Sequence, residues 1–202
     1  MNRRYLVALL LLLVCLFGHA KAQNPSAFAD TKLYDAVLDR LFQHDVQTGS
    51  PEIQLRYTYC DVGEMQIVVR KLKSSDFQLD ILYLPPGASN VWNQLAQLIN
   101  SKPKLTANAA AVSIRMIRRT ITIQNTTALA KLLDESGSLS IPLLHQNTIT
   151  LDGMAYGIAV RSISEDMSLT LQGPQHSDES NSQLIRWMGR VRLGVESDLK
   201  EP

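Results

Sequence analysis

The stretch from Ile53 to Leu84, IQLRYTYCDVGEMQIVVRKLKSSDFQLDILYL, decides the fold. Apolar side chains alternate through Ile53–Cys60, Met65–Leu72 and Phe77–Leu84, the period of strands that bury one face. Asp61-Val62-Gly63 and Ser74-Ser75-Asp76 supply turn residues between the runs, so successive runs are expected to form hairpins. Pro85-Pro86-Gly87 ends the third run.

Helical spacing flanks this stretch on both sides. Upstream, Leu33, Tyr34, Val37, Leu38 and Leu41 share one stripe within residues 31–43, and Asp30 stands where an N-cap belongs. Downstream, Ser89 is expected to cap a helix whose apolar face carries Trp92, Leu95, Leu98 and Ile99. The order is helix, three strands, helix.

The second half reads in the same order. Thr126 or Thr127 caps a short helix bearing Leu129, Leu132 and Leu133, and strand-like runs follow at Thr148–Leu151, Ala155–Ile163 and Met167–Leu171. Asp152-Gly153 is a strong hairpin signal and Glu165-Asp166 marks the next turn. A closing helix from about Ser180 to Val191 aligns Leu184, Trp187, Met188 and Val191. At a constant offset of 91, Pro51 meets Pro142, Asp61 meets Asp152, Met65 meets Tyr156, Ile67 meets Ile158, and Val69-Arg70 meets Val160-Arg161. At an offset of 90, Asp76-Phe77 meets Asp166-Met167, Leu79 meets Leu169, and Ile81 meets Leu171. The expectation is an α+β protein made by tandem duplication of an αβββα unit, with antiparallel sheet covered on one face by helices. Trp92 and Trp187 are each expected to be buried, anchoring their helices.

Between the halves, Val112–Gln124 reads as an extra linking strand. Val112, Ile114 and Met116 share one face while Ile117, Ile121 and Ile123 share the other, which calls for a bulge or a strand buried on both sides. The expected organisation is then a signal segment over residues 1–22, a short tail over 23–30, a first module over 31–103, the linking strand within 104–124, a second module over 125–193 and a polar C-terminal tail over 194–202.

Arg3 and Arg4, the 13-residue apolar run from Tyr5 to Phe17, and Ala20-Lys21-Ala22 have the order of a cleavable export signal. The run is short of the roughly 20 residues a membrane-spanning helix needs. The mature protein is therefore expected in a periplasm or outside the cell, with no integral membrane anchor once the signal is gone. Cys15 would leave with the signal, and Cys60 would remain as a lone cysteine, expected to be packed rather than bridged. The precursor has 20 Lys+Arg and 19 Asp+Glu. Loss of Arg3, Arg4 and Lys21 leaves a slight acidic excess, contrary to the charge of a nucleic-acid binder.

Common chemistries are absent from the pattern. His44, His145 and His176 are isolated, without the paired spacings of a metal site. No G-x-S-x-G elbow or glycine-rich phosphate loop occurs, and Cys60 belongs to no thiol-enzyme signature. Asp76 with Asp80, or Glu165 with Asp166, can be offered as a carboxylate pair, but such acids beside turns are ordinarily solvated. Asn125-Thr126-Thr127 is a glycosylation sequon, with Asn125 equally suited to the turn before a helix.

Two basic clusters remain as a candidate interaction patch: Arg70, Lys71 and Lys73 at the end of the second strand, and Arg115, Arg118 and Arg119 in the linking strand. They read as a solvated face or as charges guarding a sheet edge. The functional expectation is an exported, non-enzymatic protein that binds a macromolecular partner, a protein rather than nucleic acid, with no cofactor. The alternatives are an inhibitor or immunity-type protein, and a hydrolase of envelope polymer whose acids meet only in the fold. A bare strand edge or exposed apolar patch would mark a binder; a pocket with converging polar groups would mark an enzyme.

Overall fold

Alternation and turns do place β1 (Glu52–Thr58), β2 (Met65–Lys71) and β3 (Phe77–Tyr83) side by side, each antiparallel to the next. The computed structural model describes residues 31–43, 52–58, 63–102, 104–138, 153–161, 166–174, 180 and 182–200. Around the first three strands it adds α1 (Thr31–Leu41), α2 (Val91–Ser101), α3 (Ala107–Ser113), β4 (Ile117–Ile123) and α4 (Ala128–Asp134). A 3₁₀ turn (Glu135–Ser138), β5 (Gly153–Arg161), β6 (Asp166–Pro174) and α5 (Gln183–Lys200) complete it. The α+β class is as expected, and the described strands of both halves share one antiparallel sheet of order β4-β3-β2-β1-β5-β6.

The central position of β1 gives the offset of 91 a structural meaning. Met65 and Tyr156 both face Tyr57, Ile67 and Ile158 both face Leu55, and Val69 and Val160 both face Ile53. Thus β2 and β5 run against opposite sides of one strand in one register, and the same side-chain faces are required of both. The outer strands are out of step with the sequence match. Tyr156 faces Leu171 where Met65 faces Tyr83, so Leu171 corresponds in the sheet to Tyr83 rather than to Ile81. A shift of two residues keeps the same face inward.

Helices cover both faces of the sheet, not one. Leu55, Tyr57, Ile67, Leu79, Ile81, Tyr156 and Leu171 form a core with α4 and α5, closed by Leu129, Leu133, Leu184, Trp187 and Val191. On the opposite face, Leu82 and Leu84 pack with Tyr34, Val37, Leu38 and Phe42 of the α1 region, Val91 and Leu95 of α2, and Ala110 of α3. With a helical layer on each side, all of β2 except Lys71 is buried. Pro86 and Gly87 form the corner of a tight turn after β3. Ala88 N–H donates to the Pro85 carbonyl at 3.0 Å, and Gly87 takes φ +77°, a conformation that suits glycine.

Four further expectations need correction. The linking segment is not one strand: residues 107–113 are helical, because an alanine-rich run has strong helical preference and the Thr106 side chain accepts the Ala109 N–H. The change of parity at Ile117 is therefore the start of β4, not a bulge. The C-terminal tail is helical to Lys200, since Val195 is buried and Leu199 packs on the core, extending the stripe of Val191. Trp187 is buried, but Trp92 is only half-buried, its ring edge-on to Tyr34 at 5.1 Å between centroids. Finally, Asn90 rather than Ser89 caps α2, accepting the Asn93 N–H at 2.9 Å. Asp30, Cys60 and the run Thr148–Leu151 lie outside the described residues.

Candidate functional site

The six basic residues do not form one surface. Arg70 is buried, its Nε donating to Glu52 Oε2 at 3.2 Å and its Nη1 to Asp80 Oδ2. It is a structural cation of the sheet, since a buried guanidinium needs carboxylate partners. Lys71 reaches Asp134 of α4 at 2.7 Å and lies over the Phe77 ring, while Lys73 is exposed in the β2–β3 turn and Arg115 before β4. Arg118 and Arg119 are exposed on β4 and point to opposite faces of it. Arg119 Nη1 donates to the Leu199 carbonyl at 3.3 Å, at the negative end of α5.

Those two arginines make the edges of the sheet unlike each other. Among the described strands, β4 and β6 each have a neighbour on one side only. A bare edge offers unpaired N–H and C=O groups to any extended chain, and charges commonly guard against that. β4 carries Arg118 and Arg119 as its second and third residues. β6, DMSLTLQGP, has no charged residue between Asp166 and Pro174. Its Ser168, Thr170 and Gln172 are exposed on one face, while on the other Leu171 is buried and Leu169 is half-buried against the main core.

A cleft of about 330 Å³ opens at the other end of the sheet, between the β1–β2 turn, the loop after β3 and the last two turns of α5. Its walls are largely apolar, from Met65, Leu84, Pro85, Pro86 and Leu199, with Glu64, Arg192, Glu196 and Lys200 among them. Glu64 is buried: it accepts the Tyr34 hydroxyl at 2.7 Å and the Val91 N–H at 2.7 Å, so its carboxylate sits at the positive end of α2. Arg192 donates from Nε to Glu196 Oε1 at 2.7 Å and from Nη2 to the Gly63 carbonyl at 3.2 Å, with its guanidinium over the Tyr57 ring. These contacts hold the walls together and explain how charged groups line an apolar recess.

Among the described residues two titrations are displaced. Burial pushes the Tyr57 hydroxyl far above its ordinary value, against the opposing pull of Arg192; the neutral hydroxyl donates to the Met188 carbonyl at 2.8 Å. For Asp80, burial alone would raise the carboxyl, but hydrogen bonds from Thr120 and Arg70, with the Arg70 charge, outweigh it and hold the group below the usual carboxylate value. Asp80 is thus bound to the sheet, and Asp76 accepts Ser74 Oγ and the Asn125 N–H, both at 3.0 Å. The sequon threonine Thr127 caps α4 by accepting the Ala130 N–H at 3.1 Å. His44, Cys60, His145, Glu165 and His176 lie outside the described residues. Among the described residues no group of three or more His, Cys, Asp or Glu could hold a metal ion, and no helix is long and apolar enough to cross a membrane.

Sequence reading missed the cleft, because Glu64, Val91 and Arg192 meet only in the fold. It also missed that β6 is an edge among the described strands, which follows from the pairing of β5 with β1. Comparison of the chain with protein-family models, with curated proteins and with solved structures found no match.

Proposed function

We propose that this is an exported protein that binds another polypeptide by adding its extended segment to the sheet at β6. Export rests on the signal-like order of residues 1–22. The binding mode rests on one observation: among the described strands β6 is an edge that carries no charge after Asp166, whereas the opposite edge carries Arg118 and Arg119. Strand addition draws affinity from backbone hydrogen bonds and specificity from alternate side chains. On β6 those side chains would be Ser168, Thr170 and Gln172 on one face and Leu169 on the other. The cleft favours this binding reading over a hydrolase, since Glu64 and Arg192 are engaged in holding its walls.

The test is capture of polypeptides by the tagged protein in its own producing cells, comparing the parent with Thr170→Lys on β6 and Thr122→Lys on β4. Both positions are exposed, so neither lysine displaces a buried side chain. Strand addition at β6 predicts loss of the captured polypeptide with Thr170→Lys and retention with Thr122→Lys. Equal capture by all three proteins would remove β6 as the binding edge.

A further inference from the structure

Resting on that reading of β6, we infer that the polypeptide it accepts is a second copy of this chain, paired antiparallel about a twofold axis through Thr170. The strand is complementary to itself in that register. Thr170 faces Thr170, Ser168 faces Gln172, and Leu169 faces Leu171 of the other copy, so no like charges meet. Directly opposed residues of an antiparallel pair lie on the same face. The two Leu169–Leu171 contacts therefore fall on the face covered by α4 and α5 and continue that core outward. That covers Leu169, which a single copy leaves half-buried. Facing threonines are a favourable cross-strand pair on the other side.

The contrast between the edges also selects a closed pair. Pairing of β6 with β4 of a neighbour would repeat without end and build a filament. Arg118 and Arg119 on β4 oppose that arrangement. Pairing of β6 with β6 uses up both unguarded edges and leaves a guarded β4 at each end of a continuous sheet. The cleft, bounded by the turn after β3 and the end of α5, is lined by no residue of β6.

Sedimentation equilibrium of the protein released by cells expressing the full-length chain tests this. The parent is expected to be a dimer. Thr170→Lys sets two lysines face to face on the axis and should raise the dissociation constant at least about tenfold. Register is read by two double variants: Ser168→Lys with Gln172→Glu places opposite charges across both pairs and keeps the dimer, whereas Ser168→Lys with Gln172→Lys opposes like charges and breaks it. A parent that stays monomeric at every concentration, or a dimer indifferent to all these changes, overturns the inference. If a monomeric parent still captures a foreign polypeptide that Thr170→Lys releases, strand addition stands and only the second copy is lost. If capture is also indifferent to Thr170→Lys, both readings fall.

Discussion

The indole N–H of Trp187 donates to the carbonyl oxygen of Leu132 across 2.7 Å, joining α5 to α4 from within the main core. Trp187 is 2% exposed, so its truncation removes both a large packed surface and the partner of a buried carbonyl. Trp187→Ala should lower unfolding free energy by about 3–5 kcal/mol. Trp92 is half-buried, and Trp92→Ala should cost about half as much. Urea denaturation of the two variants checks the order; equal losses would contradict the packing described here.

Gly173 of β6 is fixed by Ile185. A Cβ at that position would come within 2.8 Å of Ile185 Cδ1 and 3.4 Å of Tyr156 Cε2. Gly173→Ala should destabilise by about 1–3 kcal/mol. Ile185→Val removes the interfering methyl, so the double variant should be more stable than the sum of the single changes predicts. Additive effects would mean that α5 does not press on β6 there.

Arg70 and Asp80 predict an acid limb of stability. Because the folded-state carboxyl of Asp80 titrates below its ordinary value of 3.8, its contribution is present above that pH. It is lost as pH falls through the lower, folded-state value. Urea midpoints of the parent should fall more steeply than those of Asp80→Asn as pH drops below about 4. Parallel profiles would contradict the assignment. Arg70→Met, which leaves buried Glu52 without its guanidinium, should cost about 3–5 kcal/mol near neutral pH.

The alkaline side has the opposite sign. The Tyr57 hydroxyl titrates above its ordinary value of 10.0 because burial disfavours the phenolate. Its stabilisation is complete below that pH and declines as pH rises above it, where the unfolded chain ionises first. Tyr57→Phe should flatten the alkaline loss of stability while removing the hydroxyl that donates to the Met188 carbonyl. An unchanged alkaline slope would place Tyr57 in contact with solvent.

These relationships differ in how far a linear reading could reach them. β1, β2 and β3 were legible because each alternates and each pair is separated by turn residues, signals that lie within a few positions. α3 looks like strand in the sequence because Val112, Ile114 and Met116 happen to alternate, while the capping Thr106 and the alanine run argue for helix more strongly. The segment from Gly194 reads as a polar tail, yet α5 continues through it, and Gly194 lets Leu129 approach to 3.0 Å of where a Cβ would stand. Arg70 looks like a surface cation until Glu52 and Asp80 are brought alongside it by two different strand pairings. The matched residues of β2 and β5 were visible at their offset, but only the sheet shows that both answer to the side chains of β1. For the same reason the uncharged run of β6 could be read, but its position at an edge could not.

Amide hydrogen exchange along β6 tests the central claim most directly. In an edge strand, alternate N–H groups point away from the one neighbour and exchange readily until another strand accepts them. The account predicts fast exchange at alternate amides between Ser168 and Gln172 in dilute protein. Those same amides should become protected at least about tenfold when concentration brings two copies together, and Thr170→Lys should keep the dilute pattern throughout. Outward amides that exchange equally fast at every concentration, and with every captured polypeptide bound, would contradict it.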